Sequence, residues 1–392
     1  MVPFGEVVCK VERRNPAGSP QESFCYIDLG AVDQSAKAIV NPQLLSGQKA
    51  PSRARQVLRT DDILISTVRP NLNGVARVPT DLDGSIGSTG FCVVRPNPHQ
   101  LEASYAFHWV KSPQFIDDMV RKATGASYPA VSDSVVLSSR LPLPPLGEQQ
   151  RIAAILDKAD GLRAKRHEAL AHLDSLRQSI FNEMFGDLNN GRPDWGAGPL
   201  SRFAEVVSGI TKGRRTKAEK LRKVPYLAVS NVQDKRLDLN AVKTIDATDE
   251  EIERLQLRHH DLLLTEGGDP DKLGRGTLWN EELPIAIHQN HVFRVRVTDS
   301  DCLHPLFLNW LTGSDRGRAY FLRSAKQTTG IASINKTQLS AFPLLLPPIE
   351  LQREFADRVT AVERLKEHHR AQLSQLDALF ASLQHRAFKG EL

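Results

Sequence analysis

Two long stretches of the chain carry the same pattern of apolar positions. Residues 141–186 read LPLPPLGEQQRIAAILDKADGLRAKRHEALAHLDSLRQSIFNEMFG. Past the Pro-Pro pair, apolar residues fall at Ile152, Ile155, Leu156, Ala159, Leu162, Leu170, Leu173, Leu176, Ile180 and Met184. Residues 342–390 (FPLLLPPIELQREFADRVTAVERLKEHHRAQLSQLDALFASLQHRAFKG) repeat the pattern at Phe355, Val359, Val362, Leu365, Leu373, Leu376, Leu379 and Leu383. Steps of three and four predict an amphipathic helix packed along a seam. Proline cannot sit inside a helix, so each Pro-Pro pair marks a helix start. Apart from Gly161 nothing interrupts either stretch, and each helix can run about 38 residues, or roughly 57 Å. A shift of 203 positions lays Pro144-Pro145 on Pro347-Pro348, Gln149 on Gln352, Leu156 on Val359 and Phe185 on Phe388 without a gap.

Outside the helices the pattern changes period, and it again occurs twice. PFGEVV at 3–8 has a match in RFAEVV at 202–207, Tyr26-Ile27-Asp28-Leu29 in Tyr226-Leu227-Ala228-Val229, and Asp62-Ile63-Leu64-Ile65-Ser66 in Asp261-Leu262-Leu263-Leu264-Thr265. These short β-branched or aromatic runs, like 91–95 and 292–297, are bounded by Pro, Gly and Asp and predict strands. Residues 105–121 and 306–323 each predict a helix before a Thr-Gly pair, Thr124-Gly125 and Thr329-Gly330. In contrast, 34–59 and 69–88 share little with 234–260 and 266–288. A repeating framework with unrelated loops describes one scaffold carrying two different surfaces.

The expected fold is therefore α+β: two β-containing globular domains separated by a long antiparallel two-helix coiled coil, with an internal pseudo-twofold repeat. The expected boundaries are 1–146, a spacer helix over 147–186, 187–349, and a second spacer helix over 350–392. Antiparallel pairing follows if each globular domain keeps its ends close together. The second domain begins where the first helix ends and finishes where the second helix begins. Lengthening or shortening both helices is then expected to change only the distance between the two surfaces.

Composition narrows the class. A 392-residue chain exceeds one ordinary core, and 40% hydrophobic with 25% charged residues is a soluble globular composition. The opening MVPFGEVV lacks a basic and apolar leader, and FPLLLPPI is too short to span a bilayer, so a cytoplasmic protein without membrane contact is expected. Cys9, Cys25, Cys92 and Cys302 form no CxxC pair, which predicts buried, reduced thiols. The net charge of +5 permits nucleic-acid binding without requiring it, so the placement of charge decides.

The densest run, KGRRTKAEKLRK at 212–223, holds Lys212, Arg214, Arg215, Lys217, Lys220, Arg222 and Lys223 against Glu219. A solvated face is one reading. Contact with phosphate is favoured, because seven cations repel one another unless an anion lies opposite. First-half candidates are Lys49, Arg53, Arg55 and Arg59, then Arg69. Pro70 after Arg69 favours an extended or turn backbone, from which a guanidinium can reach a base edge bidentately.

Catalytic patterns are missing. No GxxxxGK[ST] run offers a nucleotide loop, the glycine-rich 266–271 lacks GxGxxG spacing, and its Asp269-Pro270-Asp271 reads as a turn. Neither Pro193-Asp194 nor Pro270-Asp271 is followed by a nuclease-type acidic residue, spacer and lysine, and no Asn-Pro-Pro-Tyr element would hold a target amine. His288 and His291 lie three apart without a third ligand, so no metal is expected. Lys165-Arg166-His167 and His368-His369 interrupt the two apolar stripes at equivalent points, as a register-fixing polar layer or a subunit contact would.

The whole pattern resembles the specificity subunit of type I restriction-modification systems. The resemblance rests most on LPLPPLGEQQRIAAILDKAD at 141–160, DILISTVRP at 62–70 and STGF at 88–91. The second copy departs from it at Leu351, which stands where the first has Glu148. It implies two target-recognition domains, each reading one half of an interrupted double-stranded DNA target, with the helices setting the spacer. It also implies a chain without catalysis or cofactor of its own. Two methyltransferase subunits would bind S-adenosylmethionine, and motor-nuclease subunits would use Mg and ATP. The competing reading is an interaction scaffold of a defence complex, distinguished by partner binding without a DNA footprint.

Overall fold

The computed structural model describes residues 1–186, 188, 195–214, 220–269, 273–328 and 331–392. Its helices are α1 (Ala103–Val110), α2 (Pro113–Lys122), α3 (Asp133–Ser138), α4 (Leu146–Phe185), α5 (Asp249–Leu255), α6 (Pro305–Gly313), α7 (Asp315–Ser324), α8 (Lys336–Ser340) and α9 (Ile349–Lys389). Contacts divide the chain into two units, 1–169 with 369–392, and 170–368. Each unit holds one globular part with the adjoining stretches of α4 and α9. The long helices contain 40 and 41 residues and, as their apolar spacing requires, run through Gly161 unbroken.

In unit 1 one antiparallel sheet runs in the order Val8–Cys9, Phe91–Pro96, Ile63–Ser66, Val75–Arg77. The sheet of unit 2 has the same order in Ala204–Ser208, Val292–Val297, Leu262–Thr265, Gly276–Leu278. Each unit adds a second sheet with one parallel pair, Tyr26 beside Ile86 and Tyr226 beside Ile287. The units then diverge. Strand Ala54–Val57 closes the second sheet of unit 1, whereas unit 2 places α5 after its strand Lys243–Ala247, started by a Thr248–Glu251 capping box.

The repeated Asp-Ile/Leu-Leu runs are structural. Asp62 is fully buried and accepts two hydrogen bonds from Arg95 at 2.7 and 2.8 Å and one from the Arg59 amide at 2.8 Å. Asp261 repeats this with Arg296 at 2.6 and 2.7 Å and the Arg258 amide at 2.7 Å. Each arginine also donates to a carbonyl, Val57 or Gln256, so the buried charges are paired and saturated.

The conserved spacing of Gln149 and Gln352 has a similar cause. Both amides are buried at the first turn of their helix. Gln149 accepts from the Glu102 amide at 3.0 Å and donates to the carbonyls of Gln100 and Pro144, both at 2.9 Å. Gln352 does the same with the His304 amide and the carbonyls of Cys302 and Pro347. Each glutamine, its own amide buried, thereby ties the loop entering α1 or α6 to the Pro-Pro start of its long helix. Glu148 pairs only with exposed Arg151, which explains why Leu351 can replace it.

Several sequence expectations are corrected. Residues 105–121 and 306–323 form two helices each, because Ser112 and Ser314 cap α2 and α7 and Pro113 lacks the donor a continuous helix would use. The N-terminal match also shifts by three residues. Phe4 donates to Ser139 and Leu200 to Phe342, and Asn97 donates to Val7 as Thr298 does to Phe203, so Phe4 corresponds to Leu200 rather than Phe203. Of the thiols only Cys92 is buried, which pushes it up to about 12. Cys9 and Cys302 are exposed.

The helix seam is apolar only near the globular parts. In unit 1 Ile152, Ala153, Leu156 and Ala159 are buried with Phe380, Ala387 and Phe388, and in unit 2 Phe355, Val359 and Val362 with Ile180, Phe181 and Phe185. Ile155, Leu170, Leu173, Leu373 and Leu376 are half-buried. Leu162, Leu176, Leu365 and Leu379 are 44–49% exposed and do not belong to the seam. A straight helix drifts from a strict 3.5-residue repeat, so a leucine one step along faces outward. The inward places are taken by charges. Arg163 meets Asp377 at 2.6 Å and Arg166 meets His369 in unit 1. In unit 2 Lys366, only 2% exposed, meets Asp174 at 2.5 Å, and Arg177 pairs with Glu363. Rising numbers in α4 meet falling numbers in α9, so within each unit the helices are antiparallel.

His288 links one repeated strand to stability. Its Nδ1 lies 2.7 Å from the Val292 carbonyl, and burial pushes the imidazole down from 6.5 to about 4. The folded chain binds this proton more weakly than the unfolded chain, so the stabilisation is complete above about pH 6.5 and is lost as pH falls toward 4. Unit 2 is expected to lose on the order of 2 kcal/mol by pH 5 through this group. His288→Asn, whose amide can reach the same carbonyl, should flatten that part of the pH profile in denaturant unfolding. An unchanged slope would refute the assignment.

Candidate nucleic-acid interface

The basic candidates lie on segments where the units differ. In unit 1 Lys49 ends a short 3-10 turn, Gly47–Lys49, and is exposed, as is Arg53. Arg55 is half-buried and donates to the Ala54 carbonyl at 2.7 Å. Arg59 stands 3.6 Å from both Glu12 and Asp83. The Arg53 carbonyl accepts from the Thr89 amide at 2.9 Å, which brings the Lys49–Arg53 segment beside the STGF run. Arg69 lies in a separate loop next to Tyr128, a residue that sequence reading passed over because a single aromatic has no periodic signal.

In unit 2 Lys212, Lys220 and Lys223 are exposed. Arg222 is 3.8 Å from Asp249. Arg214 pairs with Glu251 and also donates to the Asp246 carbonyl, so it ties the basic segment to α5. Arg215 and Lys217 fall outside the described residues. Among the described residues the cations are thus of two kinds, those held by acids or carbonyls of their own unit and those without such a partner.

A cleft of about 690 Å³ in unit 2 is lined by Arg177, Lys235, Trp310, Arg316 and Arg318 together with Asp174, Asp234 and Asp315. Burial pushes Lys235 down to about 8, and its ammonium donates to the Asn309 carbonyl at 2.7 Å. Three acids among these cations leave little field for an anion. Among the described residues no group of three His, Cys, Asp or Glu side chains is placed to hold a metal, and His291 pairs instead with Glu266 at 2.6 Å. Among the described residues no helix is long and apolar enough to cross a membrane.

A duplicated sheet scaffold, long helices and unpaired cations on the divergent loops define a two-module recognition protein. The family model for the type I restriction modification DNA specificity domain matches residues 57–172. The type I restriction enzyme EcoKI specificity subunit of Escherichia coli (strain K12) is 23% identical over 318 residues, covering 77% of this chain and 68% of that protein. The StySPI specificity subunit of Salmonella potsdam is 23% identical over 317 residues, with the same coverage. A chain from a solved structure of complex assembly and conformational transition of the type I R-M system is 27% identical, with a TM-score of 0.61 over 100% of this chain and 97% of that one. The S subunit from M. genitalium shares the fold, with a TM-score of 0.58 at 14% identity over 98% of this chain and 95% of that one. Over its full length the chain is similar to type I restriction-modification specificity subunits.

Proposed function

We propose that this chain is the DNA-reading, non-catalytic subunit of a type I restriction-modification complex, acting in the cytoplasm, where each globular part reads one half of a bipartite target. The observation that carries this reading is the contrast between the two units. Their buried Asp–Arg and glutamine anchors match residue for residue, while the loops bearing unpaired cations do not. Identical frames with different loops are what reading two different half-sites requires, since backbone contacts position a protein on DNA and base contacts specify.

In this reading the recognition domains span 1–146 and 187–349 and the spacer helices 147–186 and 350–392. Lys49, Arg53, Lys212, Lys220 and Lys223 supply phosphate contacts, with Arg215 and Lys217 on the same basic run. Arg55, Arg59, Arg214 and Arg222, already engaged with their own unit, contribute field more than contact. Methylation and cleavage belong to partners that would bind S-adenosylmethionine, Mg and ATP. Two methyltransferase subunits are the natural number. Exposed Leu162 and Leu379 in unit 1 correspond through the repeat to Leu365 and Leu176 in unit 2, which offers one kind of partner two equivalent helix surfaces.

The test is a footprint of the chain assembled with its methyltransferase partner, which is expected to protect an interrupted site. Lys212→Ala, Lys220→Ala and Lys223→Ala together should weaken binding to all duplexes alike. They should also lower the slope of log affinity against log salt by about 0.9 for each lysine that touches a phosphate. An assembled complex that binds every duplex equally would end the sequence-reading role.

A further inference from the structure

Arg69 holds a backbone conformation that its side chain does not favour. Its φ is 51° and ψ 62°, in the left-handed region, directly before Pro70. Of the other non-glycine residues with positive φ, Lys37 with Lys235 and Asp61 with His260 recur at equivalent turns of the two units, while Asn73 and Glu281 do not. The recurring pairs belong to the shared frame. Arg69 has no such partner, since the corresponding stretch of unit 2 places Gly267–Gly268 in a strand. Asn73 is of a type that tolerates the left-handed region, whereas an arginine strained there, in a loop that unit 2 does not repeat, points to function rather than folding.

The surroundings hold the strain in place. The Arg69 amide donates to the Pro129 carbonyl at 2.7 Å and the Val131 amide to the Thr67 carbonyl at 2.9 Å. Thr124 and Ala130 exchange two backbone hydrogen bonds of 2.8 and 2.9 Å, which closes the loop 124–130. Within it Gly125 has a φ of 100°, and a Cβ there would stand 2.9 Å from the Tyr128 carbonyl oxygen. The loop presents Tyr128, which is 68% exposed, and the Arg69 guanidinium lies 4.7 Å from its ring centroid. Among the described residues no carboxylate lies within 4.0 Å of Arg69, whereas Arg59, Arg77 and Arg95 of the same sheet region are all paired. Stacking uses the face of the guanidinium and leaves its N–H edge for another partner.

We propose that Arg69 reads a guanine in the major groove of the half-site bound by unit 1, and that Tyr128 is the positioning residue that holds its planar fork. The inference rests on the DNA-reading role proposed above and names one contact within it. A rigid fork of two parallel donors matches the O6 and N7 acceptors of guanine, which no other base presents together. A flexible arginine could equally meet a phosphate. Preorganisation against an aromatic ring is what a base contact needs.

The experiment uses the chain assembled with its methyltransferase partner and reads methylation over a library of targets. Arg69→Gly removes the guanidinium and suits the left-handed backbone, so melting should not occur at a lower temperature than in the parent. One guanine position of the unit 1 half-site is then expected to become degenerate, with discrimination falling about 10- to 100-fold, while the other half-site is unchanged. Arg69→Lys should fail to restore it, Tyr128→Leu should relax the same position in part, and Tyr128→Phe should keep it. An unchanged motif in Arg69→Gly would overturn the proposal. So would a uniform loss over all targets with a salt slope reduced by about 0.9, which marks a phosphate contact. Either result leaves the bipartite motif of the parent, and with it the DNA-reading role, intact. A parent complex without sequence preference would remove both.

Discussion

Asp261→Ala is expected to destabilise unit 2 by about 3–5 kcal/mol, the usual cost of removing one partner of a buried ion pair. Asp261 is 1% exposed and accepts from Arg296 twice and from the Arg258 amide. Alanine leaves a mostly buried guanidinium and a backbone donor without partners. Asp62→Ala should do the same to unit 1, where Arg95 and the Arg59 amide lose their acceptor. Denaturant unfolding separates the two cases. Trp109 is the one tryptophan of unit 1, whereas Trp195, Trp279 and Trp310 report unit 2. A loss below about 1 kcal/mol in either variant would show that the pair is solvated like a surface bridge.

Exchange of residues 1–146 for the same region of another family member is expected to replace one half-site entirely and leave the other as it was. The methylation pattern of a host carrying the chimera checks this, and a change in both half-sites would sink the modular reading. The structure adds a condition on the donor. The first globular part meets α4 and α9 through Ser104 and His108 on Asp157 at 2.6 and 2.8 Å, Lys111 on Asp160 at 2.7 Å, and Tyr105 and Trp109 against Phe388. His108 is fully buried, and burial lowers its pKa although Asp157 opposes the shift, so it sits there neutral. A donor with apolar residues at these three places would leave Asp157 without Ser104 and His108, and Asp160 with Arg163 alone. Chimeras from donors that keep Ser, His and Lys at 104, 108 and 111 should therefore fold with higher yield than the rest.

The division between what was legible and what was not follows the range of the interactions. Helix starts were readable because Pro-Pro and the period of three to four residues are local constraints. The repeated Asp62 and Asp261 were readable as a motif but not as a buried pair, since Arg95 and Arg296 lie 33 and 35 residues further along the chain. The seam was misread at Leu162, Leu176, Leu365 and Leu379 because a count of apolar positions does not register the drift of a straight helix. Arg214 looked free within its basic run until Glu251, 37 residues on, was placed beside it. Tyr128 carried no signal at all, since its place beside Arg69 comes from a loop that folds back on itself.

The sequence by itself determined the duplication, the two long helices, the strand-bearing modules and the lack of catalytic motifs, because each of these is written in local periodicity or in a fixed spacing. Only the tertiary structure decided which cations remain open to an anion and which are held by their own unit. It also decided that the middle of the helix seam is charged, and that one arginine is strained against one tyrosine. Those outcomes depend on contacts between residues far apart in the chain. Burial, which makes such contacts strong, exists only once the fold has brought them together.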